Sequence, residues 1–166
     1  MSVAEHDQWQ AWLSAHGPAL LLFARQWLAN RQEAEDALQD GFIRFWHKRQ
    51  QASDPLAYLY ACVRSAALDL RRQRQRLEIR HRQAVTDPPP SLTCPPELEE
   101  RRQAVEEALS HLPEDQRAVL VLKIWGDLTF GQIAATLAIS PNTAASRYRY
   151  ALQHLETRLA REVNCE

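Results

Sequence analysis

Residues 128–143 read Leu128-Thr129-Phe130-Gly131-Gln132-Ile133-Ala134-Ala135-Thr136-Leu137-Ala138-Ile139-Ser140-Pro141-Asn142-Thr143. Ile133, Ala134 and Leu137 fall on one helical face. Ala138-Ile139-Ser140 is too short for anything but a turn. Ser140 followed by Pro141 marks a second helix start, with a side-chain oxygen for the free amides and a ring that fits the first helical position. The second helix then repeats apolar residues at Ala144, Tyr148, Ala151, Leu155 and Leu159. Two amphipathic helices across a three-residue turn, with small Ala134 allowing a close crossing, make a helix-turn-helix whose second helix enters a major groove. The other face of that helix offers Asn142, Thr143, Ala145, Ser146, Arg147, Arg149 and Tyr150, and after Asp127 the next acid is Glu156. Hydroxyl, amide and guanidinium groups near a helix N-terminus suit phosphates and base edges. A plain solvated face would carry more Glu and Lys.

Upstream, helices follow one another. Expected elements cover residues 96–111, broken by Leu112-Pro113, and 114–125, closed by Gly126-Asp127. In the first half they cover residues 5–16, 19–28 and 32–47, with Gly17-Pro18 punctuating the first pair. A polar loop at 48–54 ends in Asp54-Pro55, an N-cap and first-turn pair that starts a fourth helix running into an Arg-rich stretch. With only 4 glycines among 166 residues and no sustained apolar–polar alternation, no sheet is expected. The fold class is all-α.

Five of the nine prolines lie in Asp87-Pro88-Pro89-Pro90-Ser91-Leu92-Thr93-Cys94-Pro95-Pro96. Proline fixes φ and lacks a donor, so this stretch is a linker. The reading divides the chain into a helical domain at 1–82, a Pro-rich linker at 83–96 and a helix-turn-helix domain at 97–166. Only the linker is expected to join the two.

The net charge is −1, against a dedicated non-specific DNA binder, but it is unevenly spread. Residues 64–82 hold seven Arg and two acids, and residues 83–108 hold two Arg and six acids. A basic segment beside an acidic one suggests a local nucleic-acid surface and a solvated or masking segment. Over Asp54 to Arg72, which runs into the basic segment, arginines interleave with the aromatics Tyr58 and Tyr60 on a helix that follows a polar loop, a pattern that holds single-stranded bases by stacking and phosphate neutralisation. A surface basic helix with core tyrosines fits the same residues. Ala34 to Trp46, with Asp36, Gln39 and Asp40 opposite an aromatic face, is by itself an ordinary amphipathic helix.

The scattered glycines leave no phosphate loop, the 6 histidines form no HExxH, and Cys62, Cys94 and Cys165 have no zinc spacing. No catalytic residue, cofactor or metal is expected. The odd cysteine count and lack of a signal peptide suggest a reduced, cytoplasmic protein, and the most apolar run, residues 19–24, is too short for a bilayer. A ligand-responsive or two-component repressor with a C-terminal helix-turn-helix is the alternative, but the first half shows neither a sensor pocket nor a phosphorylatable strand-end Asp.

Three segments together resemble the extracytoplasmic-function (ECF) subfamily of sigma-seventy-type sigma factors. His16-Gly17-Pro18 through Ala34-Glu35-Asp36 to Trp46 is similar to the core-binding part of the sigma-two domain. Tyr58 to Arg72 is similar to its promoter-melting helix. Leu112-Pro113-Glu114-Asp115-Gln116-Arg117 and the helix-turn-helix through Ser146-Arg147 and Tyr150-Ala151-Leu152 are similar to the sigma-four domain. The resemblance implies roles. Asp36, Gln39 and Asp40 would bind core RNA polymerase. Lys48, Arg49 and Ser53 of the loop would capture a base flipped from the minus-ten element, and Arg64, Ser65, Arg71 and Arg72 would hold the melted non-template strand. Asn142, Thr143, Ser146, Arg147 and Arg149 would read the duplex at the minus-thirty-five element. It further implies transcription initiation at promoter DNA without membrane insertion. Family members are often held by an anti-sigma factor, though no motif here identifies one. Ser65 stands where the family usually has Asn, and Ala145 where it often has Lys; both bear on promoter sequence.

Overall fold

Asn30, Asp54, Thr129 and Ser140 each stop the preceding loop by turning a side-chain oxygen onto a free amide. Asn30 Oδ1 accepts from Glu33 N at 2.8 Å, Asp54 Oδ1 from Ala57 N at 3.0 Å, Thr129 Oγ1 from Gln132 N at 3.2 Å and Ser140 Oγ from Thr143 N at 3.0 Å. Each such cap contributes about 1 kcal/mol and fixes where its helix begins. At Thr129 the bond is reciprocal, because Gln132 Oε1 accepts from Thr129 N at 2.9 Å.

The computed structural model describes residues 3–80 and 107–163, with side chains at 7–77 and 107–157. Helix α1 is Val3–Ala24, α2 Arg31–Lys48 and α3 Pro55–Arg80, with a single 3-10 turn at Arg49–Gln51 before α3. After a helical turn at 107–110 come α4 Glu114–Ile124, α5 Phe130–Leu137 and α6 Pro141–Val163. No strand occurs among the described residues. The expected linker at 83–96, and most of the helix expected at 96–111, lie outside them.

One sequence expectation fails outright: α1 runs through Gly17-Pro18. An internal proline costs about 3 kcal/mol. Trp9 and Trp12 before the proline, and Leu20, Phe23 and Ala24 after it, lie on one stripe packed into one core. Burying side chains such as Leu20 and Phe23 returns about 1.5–3 kcal/mol each, which outweighs the lost bond. The Pro18 ring is exposed.

The first half packs α1, α2 and α3 around aromatics. Trp9 lies 5.0 Å from Phe42 and 5.1 Å from Trp46, Trp12 is 5.2 Å from Phe45, and Phe23 is 4.7 Å from Trp27 and 5.4 Å from Tyr60. Helices α2 and α3 touch most closely at Gly41, where an added Cβ would meet Val63 Cα at 2.7 Å and Val63 N at 2.9 Å. That contact is backbone on backbone, so no rotamer change relieves it.

The expectation that only the linker joins the halves is corrected. One cluster of buried residues runs from Phe23, Tyr60 and Val63 through Leu112, Leu120 and Leu128 to Ile133 and Leu137. Polar bonds cross the junction. Trp27 Nε1 donates to Glu114 Oε1 at 2.8 Å, Arg71 Nη1 to Glu114 Oε2 at 2.8 Å, Arg117 Nη2 to the Gln26 carbonyl at 2.8 Å, and Thr136 Oγ1 to the Ala57 carbonyl at 3.2 Å. Tyr60 is wholly buried beside Gly126, and burial pushes its phenol up to about 12. The sequence showed two amphipathic units but carried no sign that their faces leave apolar surface for each other.

Replacing Gly41 with Ala should overpack the α2–α3 crossing and lower stability by about 1–3 kcal/mol. Urea denaturation followed by circular dichroism measures this, and an unchanged midpoint would contradict the close approach.

Candidate nucleic-acid interface

At the start of α3, Asp54 holds the first turn, and the loop before it folds against Tyr58. The result is an open cleft of about 410 Å³ whose lining includes Lys48, Gln51, Ser53, Asp54, Tyr58 and Ala135. Lys48 and Ser53 are exposed at its mouth. Tyr58 forms a half-buried wall, and burial is the main cause raising its phenol above the ordinary value. A cation, hydroxyls and an aromatic wall can take a flat, polar-edged group such as a base. Arg49 does not join them: its guanidinium lies 3.7 Å over the Trp46 ring, and Nη1 donates to the Trp46 carbonyl at 2.5 Å. It braces the loop instead.

Of the two tyrosines expected to interleave with arginines, Tyr60 belongs to the core and Tyr58 alone faces the cleft. The arginines diverge as well. Arg64 faces the junction between the halves, 6.0 Å from the Trp27 ring. Arg71 pairs with Glu114, and Arg72 lies along the exposed surface with Nη1 3.2 Å from Asp69 Oδ1. Ser65 is exposed on α3.

On α2, Asp36 and Gln39 are exposed and Asp40 is half-buried, with exposed Ile43 beside them. Arg44 is the connecting residue at this face that sequence reasoning missed. Its Nη2 donates to Asp40 Oδ2 at 2.6 Å, and its Nη1 donates to Asp69 Oδ2 at 3.0 Å and to Ser65 Oγ at 3.3 Å. The hydrogen bond to Asp69 is the main cause raising its pKa. One guanidinium thereby ties the acidic face of α2 to Asp69 and Ser65 on α3. The Asp40 spacing was readable as an i,i+4 pair, but Asp69 and Ser65 lie on another helix with no spacing rule.

The helix-turn-helix forms as its pattern implied, with Ile133, Ala134, Leu137, Ala144 and Ala151 buried and Tyr148 and Leu155 packed on the same core. Leu159 lies outside the described side chains. Ala138 takes the left-handed conformation, φ 55°, and Ile139 N bonds the Ala134 carbonyl at 3.0 Å. On α6, Asn142 and Arg149 are exposed, and Thr143 and Ser146 half-buried. Arg147 departs from the expected open face. Its Nε lies 3.0 Å from Asp115 Oδ2, in a cleft of about 270 Å³ shared with Trp27, Arg64, Glu114 and Leu137.

No cluster of His, Cys, Asp and Glu suited to a metal ion occurs among the described residues, nor a helix long and apolar enough to cross a membrane. Cys62 is buried, which raises its thiol pKa and leaves it a packing residue. Cys94 and Cys165 lie outside the described side chains.

Exchanging Ala138 for Gly should raise stability by about 0.5–1 kcal/mol, since only glycine reaches positive φ without a side-chain penalty. A lower thermal midpoint would contradict the left-handed turn.

The chain matches the sigma-seventy region 2 family over residues 12–77 and the sigma-seventy region 4 family over residues 102–155. It is 26% identical over 166 aligned residues to the ECF RNA polymerase sigma factor SigL of Mycobacterium tuberculosis, covering 95% of this chain and 92% of the relative. With the ECF RNA polymerase sigma factor SigE of Mycolicibacterium smegmatis it shares 28% identity, over 95% of this chain and 64% of that one. The sigma factor RpoE of Bartonella quintana, solved in complex with the anti-sigma factor NepR, superposes with a TM-score of 0.71 at 25% identity, over 93% of this chain and 97% of that one. CnrH, solved with the cytosolic domain of CnrY, has a TM-score of 0.65 at 23% identity, over 93% and 89%, a likeness of fold. The two family matches in order along one chain, with a relative matched over 92% of its own length, place the protein in the extracytoplasmic-function subfamily of sigma-seventy-type RNA polymerase sigma factors.

Proposed function

We propose that the chain joins core RNA polymerase through the α2 face and reads promoter DNA at two elements, as a non-catalytic initiation factor acting in the cytoplasm. The two functional units are residues 1–82 and 97–166, joined by the linker at 83–96. Asp36, Gln39 and Asp40 contact polymerase. Lys48 and Ser53, at the cleft beside Tyr58, receive a base flipped from the minus-ten element, with Arg49 holding the loop on Trp46. Arg64, Ser65, Arg71 and Arg72 follow the non-template strand along α3. Asn142, Thr143, Ser146, Arg147 and Arg149 on α6 read the minus-thirty-five duplex. An anti-sigma factor is a natural further partner, since RpoE is solved with the anti-sigma factor NepR bound.

The observation that carries this reading over a helix-turn-helix repressor is the cleft at the start of α3, followed on the same helix by three candidate arginines. A repressor reading duplex has no use for a base pocket. Run-off transcription with purified core polymerase on a promoter library tests it. Promoter-specific transcripts that require this chain are expected, and none from any promoter would reject the reading.

Two variants localise the contacts. Asp36→Lys with Gln39→Lys places like charge at exposed positions and should lower core affinity about tenfold or more with unchanged helicity. Capture of core at the wild-type level would remove these residues from the interface. Arg147→Ala should weaken minus-thirty-five recognition by about 1–3 kcal/mol, read as lost transcription from promoters that depend on that element.

A further inference from the structure

Ser65, Asp69 and Arg72 follow one another at helical spacing and so lie along one stripe of α3. Ser65 and Arg72 are exposed, and both hold the strand in the proposed function. Between them stands a carboxylate, which repels a phosphate backbone and competes with it for any guanidinium in reach. Asp69 Oδ1 already lies 3.2 Å from Arg72 Nη1. Built from α3 alone, the stripe is a poor surface for a nucleic-acid strand.

Arg44 changes it from the neighbouring helix. Its Nη1 donates to Asp69 Oδ2 at 3.0 Å and to Ser65 Oγ at 3.3 Å, while Nη2 is anchored on Asp40 Oδ2 at 2.6 Å. Asp69 is thereby divided between two guanidiniums, one on each oxygen, and does not hold Arg72 with its whole charge. Ser65 gains a direction. A hydroxyl has one hydrogen to donate and two lone pairs that accept. Ser65 Oγ accepts from Arg44 and makes no other hydrogen bond among the described residues, so its hydrogen is left for an acceptor outside the protein. A phosphate oxygen is such an acceptor.

We propose that Arg44 is a positioning residue for promoter melting: it turns Ser65 into an outward hydrogen-bond donor and restrains Asp69, so that Arg72 stays available to the non-template strand. Arg44 acts through these three side chains. The inference rests on the proposed strand-holding roles of Ser65 and Arg72. Without Arg44, Asp69 keeps only Arg72 as a partner among the described residues and meets the strand as an anion. Both effects weaken the hold on the strand. The lost bonds are partly exposed and matter little for stability, so the consequence falls on opening rather than on folding.

The test forms holoenzyme from core polymerase and saturating full-length chain, on a promoter that the wild-type chain transcribes. Permanganate reactivity of unpaired thymines reads the rate of opening, and circular dichroism reads helix content. Arg44→Met removes the donors and should slow opening about tenfold. Adding Asp69→Asn to it should recover about threefold or more, because the carboxylate that captures Arg72 is gone. Ser65→Ala should slow opening about fivefold by itself and about twofold or less beside Arg44→Met, since the hydroxyl has already lost its direction there. An arginine that merely braces two helices predicts no recovery and equal Ser65→Ala losses in both backgrounds. Opening at the wild-type rate in Arg44→Met, no recovery with Asp69→Asn, or equal Ser65→Ala losses would each overturn the proposal. If Arg44→Met has lost helix, Arg44→Lys replaces it throughout, because a single ammonium cannot span both helices as the guanidinium fork does. A wild-type chain that drives no transcription would instead reject the reading of function on which the proposal stands, while a urea-denaturation cycle over Arg44→Met and Asp69→Asn would still read the coupling of the two side chains.

Discussion

Helix α3 has to serve two neighbours with one cylinder. Leu59, Tyr60, Val63, Ala66 and Ala67 are buried, against α1 and α2 on one side and the second half of the molecule on the other. Val63 lies under Gly41 at backbone contact, so α3 cannot move along or away from α2 without losing that close packing. The groups proposed to meet DNA are measured from that fixed axis. The cleft opens at its first turn, Arg64 and Ser65 follow at mid-length, and Arg71 and Arg72 lie beyond.

The same rigidity joins the α2 and α3 faces of the first half that are proposed to meet polymerase and DNA. Arg44 reaches from α2 to Asp69 and Ser65 on α3 while bonded to Asp40 on its own helix. Each bond is partly exposed and contributes only about 0–1 kcal/mol to stability. Their value is geometric: they set the rotation of α2 against α3, and with it the relation between the two surfaces. A change at Asp40 is therefore felt at Ser65 through a single side chain.

What the sequence revealed was local, and what it hid was distant. Asp54-Pro55 and Ser140-Pro141 announced helix starts because a cap and its amide lie within three residues of each other. The helix-turn-helix was legible in the 3.6-residue repeat of Ile133, Leu137, Ala144 and Ala151. Gly17-Pro18 misled because a local stop signal lost to burial on both sides of it, which only the assembled core reveals. Arg147 illustrates the limit at the candidate site. Its position on α6 followed from periodicity, but its pairing with Asp115 depends on how α4 crosses α6. The junction of the halves was hidden for the same reason, since Trp27 and Glu114 are 87 residues apart and no spacing links them.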